Sequence, residues 1–219
     1  MVKYLLIVSV LFGLLTACNN GQRTADSSSA VTPATEEAAT LGESDSGDIS
    51  VMQTISRVDS VKINELLPYF NVYVDEFSPK NLTWYIPKSA PKYTNENGIY
   101  LYFYNSDEGL GPLRFRIQYY ADDWLFFNKV QFSIDGKAYE FVPLSTETDC
   151  GNGGMIWEWF DEAIATADEV TLIKALASAK SAKMKFIGRQ YHNIKQITPK
   201  QIEAIRRTVE LYEAFGGHL

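Results

Sequence analysis

Lys129-Val130-Gln131-Phe132-Ser133-Ile134-Asp135-Gly136-Lys137-Ala138-Tyr139-Glu140-Phe141 is the stretch whose reading decides the fold. Val130, Phe132 and Ile134 alternate with Lys129, Gln131 and Ser133, the period of a strand with one buried face. Asp135-Gly136 supplies two residues that tolerate positive φ, so the chain reverses in a tight turn and returns through Tyr139 and Phe141. This hairpin places the chain among proteins built on antiparallel sheet.

Working outward, the flanking segments repeat the pattern. Upstream, Leu113, Phe115, Ile117 and Tyr119 alternate with Arg114, Arg116 and Gln118, which predicts a strand wet on one side. Ile99, Leu101 and Phe103 alternate with Tyr100, Tyr102 and Tyr104 after the turn Asn97-Gly98, which predicts a strand covered on both faces. Shorter strand-like runs are Val72-Tyr73-Val74 and Leu82 to Ile86, and before them Ile63, Leu66, Leu67 and Phe70 have helical spacing that Pro68 limits to about two turns. Downstream, Met155 to Phe160 and Lys183 to Ile187 read as strands. Asp168 to Ala179 reads as a short internal helix with Leu172, Ile173 and Leu176 on its apolar face and Asp168 as cap. Thr198, Pro199 and Gln201 form a capping box that starts a terminal helix, and Ile202, Ile205, Val209, Tyr212 and Phe215 form its stripe up to Gly216-Gly217. The expected class is therefore α+β: predominantly antiparallel sheet, sandwich-like or curled, with the C-terminal helix packed on it and one shorter internal helix.

The other end of the chain has a different character. Met1-Val2-Lys3-Tyr4 precedes an apolar run from Leu5 to Leu15, then Leu15-Thr16-Ala17-Cys18. A charged start, a short apolar core and a small-residue exit are the pattern of a secretory signal. The apolar run would span roughly 16 Å as a helix, about half of a ~30 Å hydrocarbon core. Leu15-Thr16-Ala17-Cys18 resembles the lipobox of bacterial lipoproteins. That resemblance implies cleavage before Cys18, a diacylglyceryl thioether on its sulfur, and in many bacteria a further acyl group on its amine; two or more chains give stable anchoring. Asn19-Asn20-Gly21 lacks the aspartate that, in that family, resembles an inner-membrane retention signal, so an outer membrane is the expected address where the cell has one. The expected organisation is signal peptide 1–17, lipidated Cys18 with an acidic Ser/Thr/Ala/Glu-rich tether to residue 54, and one β-rich domain over 55–219. A flexible tether of that length has a root-mean-square span of ~33 Å.

The chain has a formal net charge of −7, and residues 19–60 hold seven of its acids against Arg23 and Arg57. That balance argues against nucleic acid as a partner, because phosphate neutralisation needs clustered Lys and Arg. With Cys18 acylated, Cys150 has no partner for an intrachain disulfide, and its neighbours supply no positive charge to lower the thiol pKa, so a buried or unreactive thiol is expected. His192, read as lying in a polar connection, and His218 are the only histidines. There is no His-x-x-x-His, Cys-x-x-Cys, Gly-x-Ser-x-Gly or phosphate-loop spacing, so no catalytic residue, metal ligand or cofactor is assigned. Glu158, Asp161 and Glu162, and Asp122-Asp123, read as solvated acids. Lys180, Lys183, Lys185, Arg189 and Lys195 read as the guard of an edge strand.

Binding signals are stronger than catalytic ones. Trp157 and Trp159 share one side of a predicted strand, as do Tyr100, Tyr102 and Tyr104; such faces suit sugar rings and partner surfaces, and one of them is expected to pack under the terminal helix. Asn152 sits in the polar, glycine-rich connection Ser145 to Gly154, whose glycines supply positive φ and whose kind often carries binding. Trp157, Trp159, Tyr100, Tyr102 and Asn152 are the candidate ligand contacts. Lys185 to Tyr191 through Thr198 to Gln201 also resembles a recurrent ending of uncharacterised exported bacterial domains, which supports the architecture and transfers no activity. Together these features read as a membrane-anchored, non-enzymatic binding or interaction module of the cell envelope, with an envelope protein or glycan as partner. The alternatives are a glycan or peptidoglycan binder that uses exposed aromatics and, behind it, a carboxylate-dependent hydrolase.

Overall fold

In a computed structural model of the chain, residues 58–151 and 153–219 are described; Cys18, the tether and Asn152 lie outside the described residues. The elements, in chain order, are α1 (Ser60–Leu66), a 3-10 turn (Leu67–Tyr69), β1 (Phe70–Val74), β2 (Thr83–Pro87), β3 (Gly98–Ser106), β4 (Gly109–Leu110), β5 (Arg114–Ala121), β6 (Lys129–Ile134), β7 (Lys137–Phe141), β8 (Glu147–Cys150), β9 (Ile156–Ala163), α2 (Ala167–Ser178), β10 (Ala182–Ile187), β11 (His192–Ile197) and α3 (Pro199–Ala214). All strand pairs are antiparallel. The larger sheet has seven strands in the order β1-β2-β3-β5-β9-β8, with β4 on β3, and the smaller has four in the order β11-β10-β6-β7. The protein is α+β and mostly sheet.

The deciding hairpin forms as read. Ile134 pairs with Lys137, and Asp135 and Gly136 have φ of 47° and 84°. The Asp135 carboxylate then accepts the backbone N–H groups of Lys180 and Ser181 at 3.1 and 2.8 Å, which ties the turn to the start of β10.

One face of the larger sheet is buried by two different covers. Over β5 and β9 lies the smaller sheet: the ring of Phe115 meets Phe132 and Phe141 at 6.4 and 5.4 Å, and Phe141 stacks on Phe160 at 4.9 Å. Over β2 and β3 lies α3: Phe103 meets Tyr212 and Phe215 at 5.3 and 5.7 Å, and Tyr85 meets Phe215 at 4.8 Å. Helix α3 starts at the Thr198/Gln201 capping box, and α1 and α2 pack along it.

Several expectations are corrected. The cap of α2 is Thr166, in a capping box with Glu169, rather than Asp168; the helix begins two residues earlier because Thr166 is the extended residue whose hydroxyl accepts the Glu169 N–H. The polar connection containing His192 is strand β11, so β10 is an interior strand and the lysines on it guard no edge. The connection 145–154 contains β8, which pairs with β9 and leaves Cys150 exposed rather than buried. Strand β5 is not wet along its whole outer side: Gln118 is buried under residues 93–96 and donates to the carbonyls of Tyr93 and Glu96 at 2.8 and 3.3 Å. The two unread strands, β8 and β11, share a cause. The backbone hydrogen bonds of a short polar edge strand form whatever its side chains are, so period-2 hydrophobicity does not report it.

Phe115 is fully buried where the two sheets meet. Phe115→Ala is expected to cost about 3–5 kcal/mol of stability, measured as a lowered urea midpoint with an unchanged slope.

Candidate ligand face of the larger sheet

The opposite face of the larger sheet carries neither cover. Strand register places its residues in rows: Tyr73 beside Trp84, Trp84 beside Tyr104, Tyr102 beside Arg114, Tyr100 beside Arg116, Arg116 beside Asp161, Gln118 beside Trp159, and Tyr120 beside Trp157. Side chains alternate between faces along a strand, so one register puts all of these on one side. Both aromatic groups singled out from the sequence therefore share this face. The expectation that one of them lies under the terminal helix is corrected: the bed of α3 is made by the other phase of the same strands, Tyr85 and Phe103.

At the centre of the face is a polar knot. The Tyr102 hydroxyl donates to Asp161 Oδ2 at 2.5 Å and accepts from Arg114 Nε at 3.0 Å. Arg114 also donates through Nε to Asp161 Oδ1 at 2.8 Å and through Nη2 to the Asp161 carbonyl at 2.9 Å, while Arg116 Nη1 reaches Asp161 Oδ2 at 3.1 Å. Two guanidinium groups share one carboxylate, which leaves the knot with one positive charge in excess. Arg116 Nε has no hydrogen-bond partner among the described residues, and neither has Trp157 Nε1. Burial holds the Tyr100 phenol up at about 12, and burial followed by the bond to Asp161 raises that of Tyr102. Both are neutral donors at physiological pH.

Around the knot the rings are tiled. Trp84 lies 5.7 Å from Tyr102 and 4.9 Å from Tyr104, and Tyr100 lies 5.9 Å from Tyr102. Gly111 permits this: a Cβ there would come within 2.4 Å of the Tyr104 ring. Tyr73, Trp84, Ile86, Tyr100, Tyr102 and Arg116 line an open cleft of about 230 Å³. Tyr100 and Tyr102 are thus brought into one cleft, while Trp157 and Trp159 lie beyond β5 on β9. Tyr73, Trp84, Arg114, Arg116 and Asp161 were not singled out as ligand contacts from the sequence. The signal for the arginines was present in the alternation of β5, where they read only as a wet side.

The three acids of β9 do three separate jobs. Glu158 is fully buried on the inner face; its Oε1 accepts the N–H groups of Leu125 and Phe126 at 2.7 and 2.9 Å, and its Oε2 accepts that of Phe127 at 2.8 Å. Asp161 belongs to the knot. Glu162 accepts the amides of Leu144 and Ser145 at 2.7 and 3.3 Å. The reading of all three as solvated acids is corrected, because backbone donors and arginines engage them. Among the described residues no group of three or more His, Cys, Asp or Glu is placed to hold a metal ion, and no helix is long and apolar enough to cross a membrane. Comparison with protein-family models finds no match, and comparison with curated proteins finds none either.

Glu158→Gln replaces one acceptor oxygen by an NH2 group that would face the N–H of Leu125, Phe126 or Phe127. A loss of about 3 kcal/mol is expected for bonds to a charged acceptor, read by chemical denaturation. Because the Tyr100 pKa is raised above its ordinary 10.0, the unfolded chain releases that proton first, so stability is full below about pH 10 and falls as pH rises through about 12. Tyr100→Phe is expected to remove up to roughly 2 kcal/mol of that alkaline loss, seen in denaturation curves between pH 9 and pH 12.

Proposed function

We propose that this chain is an extracytoplasmic lipoprotein, anchored through lipid on Cys18, whose folded part is a non-enzymatic binding module for envelope glycan. The observation that carries the ligand assignment is the uncovered sheet face on which Tyr73, Trp84, Tyr100 and Tyr102 surround the Arg114–Asp161–Arg116 knot. Sugar rings have apolar C–H faces and hydroxyl edges. The exposed ring of Tyr73 and the part-buried rings of Trp84 and Tyr102 accept the first, and guanidinium, carboxylate and neutral phenol groups meet the second. The excess positive charge of the knot favours saccharides that carry carboxylates, as peptidoglycan fragments do. The cleft is shallow and open, which suits one ring of a longer chain lying along the face. The lipobox residues support the address, and a tether of ~33 Å would let the domain search the envelope beside the membrane.

The test uses the full chain. Peptidoglycan co-sedimentation and tryptophan fluorescence on titration with soluble fragments are expected to show binding. Trp84→Ala and Arg116→Ala are each expected to weaken it at least tenfold with an unchanged circular dichroism spectrum. Wild-type binding by both variants would reject the assignment to this face. A palmitate label present in wild type and lost in Cys18→Ser is expected for the anchor.

A further inference from the structure

We infer that β1 is a pairing edge on which a second copy of this chain docks, antiparallel about a two-fold axis at Val72, in a role beyond ligand binding. Apart from the two-residue β4, the described residues contain four sheet edges, and three carry charges that oppose strand addition: Lys137 and Glu140 on β7, Glu147 and Asp149 on β8, and Lys195 on β11. Strand β1, Phe70-Asn71-Val72-Tyr73-Val74, carries none. Val72, Tyr73 and Val74 are 46%, 57% and 55% exposed, so this apolar edge is open on both faces.

The backbone phase is correct for pairing. Tyr69 O accepts from Lys88 N, and Asp75 N donates to Leu82 O, so odd-numbered positions bond to β2 while Phe70, Val72 and Val74 turn their polar groups outward. The Phe70 N–H is spent on Leu67 O. A two-fold at Val72 then leaves about four interchain bonds: Val72 N–H to Val72 carbonyl in both directions, and Val74 N–H of each copy to the Phe70 carbonyl of the other.

Charge chooses the antiparallel partner. At one end of β1 the turn after Val74 carries Asp75 and Glu76, with Asp107 and Glu108 bonded beside it through Asn81 and Lys80. At the other end Lys88, Lys200 and Arg207, the last paired with Glu203 at 3.0 Å, line a pocket of about 180 Å³ together with Pro68, Pro87 and Ala204, so three cations face one acid there. Arg207 lies 3.6 Å above the Tyr69 ring. The two-fold brings the acidic end of each copy beside the basic end of the other. It also brings Phe77, 95% exposed on the acidic turn, next to that pocket. An isologous contact of this kind closes on itself and stops at two copies.

The test is made on the full chain. In a Cys18→Ser, Cys150→Ser background, Val72→Cys is expected to give a product of twice the chain mass with a short bifunctional maleimide, and Val142→Cys, more exposed at 59%, is expected to give none. In sedimentation velocity, wild type is expected to dimerise, and Val72→Lys, which opposes two ammonium groups at the axis, to weaken dimerisation at least tenfold with an unchanged circular dichroism spectrum. A monomer at all concentrations up to solubility, equal crosslinking from Val142→Cys, or crosslinking of Val72→Cys only to a different protein would each overturn the inference.

Discussion

The bond set around Glu158 is the constraint on which the sandwich depends. Residues 122–128 carry the chain from the larger sheet to the smaller, and a crossover that closes the end of a core must satisfy its backbone donors without water. One buried carboxylate does this for three successive amides. The same bonds hold Phe126 at a φ of 51°, a conformation that a bulky residue keeps only when its surroundings impose it. Gly188 completes the closure from the smaller sheet: any side chain there would place its Cβ 2.0 Å from the Leu125 carbonyl.

With the end closed, the inner face of the larger sheet is divided between a sheet and a helix, and its outer face is left for solvent or ligand. The outer rings are organised by the knot together with burial, which leaves Tyr100 only 8% exposed. Asp161 draws Arg114, Arg116 and Tyr102 into one cluster, and the cluster determines where the rings of Trp84 and Tyr100 can sit.

Long periodic segments were legible in the sequence. The β6–β7 hairpin, strands β3 and β5, and the capped helix α3 follow from alternation, turn chemistry and an N-terminal box, all local signals. Strands β8 and β11 were not legible, because they are short polar edges whose pairing comes from a neighbour's backbone. The candidate ligand face was half legible. The phase of Tyr100, Tyr102, Trp157 and Trp159 is readable from period two, but which phase α3 would cover depends on where β2 falls beside β3, and that is tertiary. The role of Glu158 was hidden for the same reason: its partners lie more than thirty residues away, and an acid at alternate positions on an apolar strand looks the same whether it faces water or a ring of amides.

The strand order has a kinetic consequence. The central pairs of the two sheets are interleaved along the chain, β5 with β9 and β6 with β10, so neither sheet can be completed before the other has begun. A chain synthesised from its N-terminus presents β5 with an open edge until residues 156–163 arrive, and the strand that closes that edge also brings the carboxylate that clamps the crossover. Folding should therefore finish late and in one concerted step, slowed by non-local pairing, with the half-built sheet the species most exposed to misassociation.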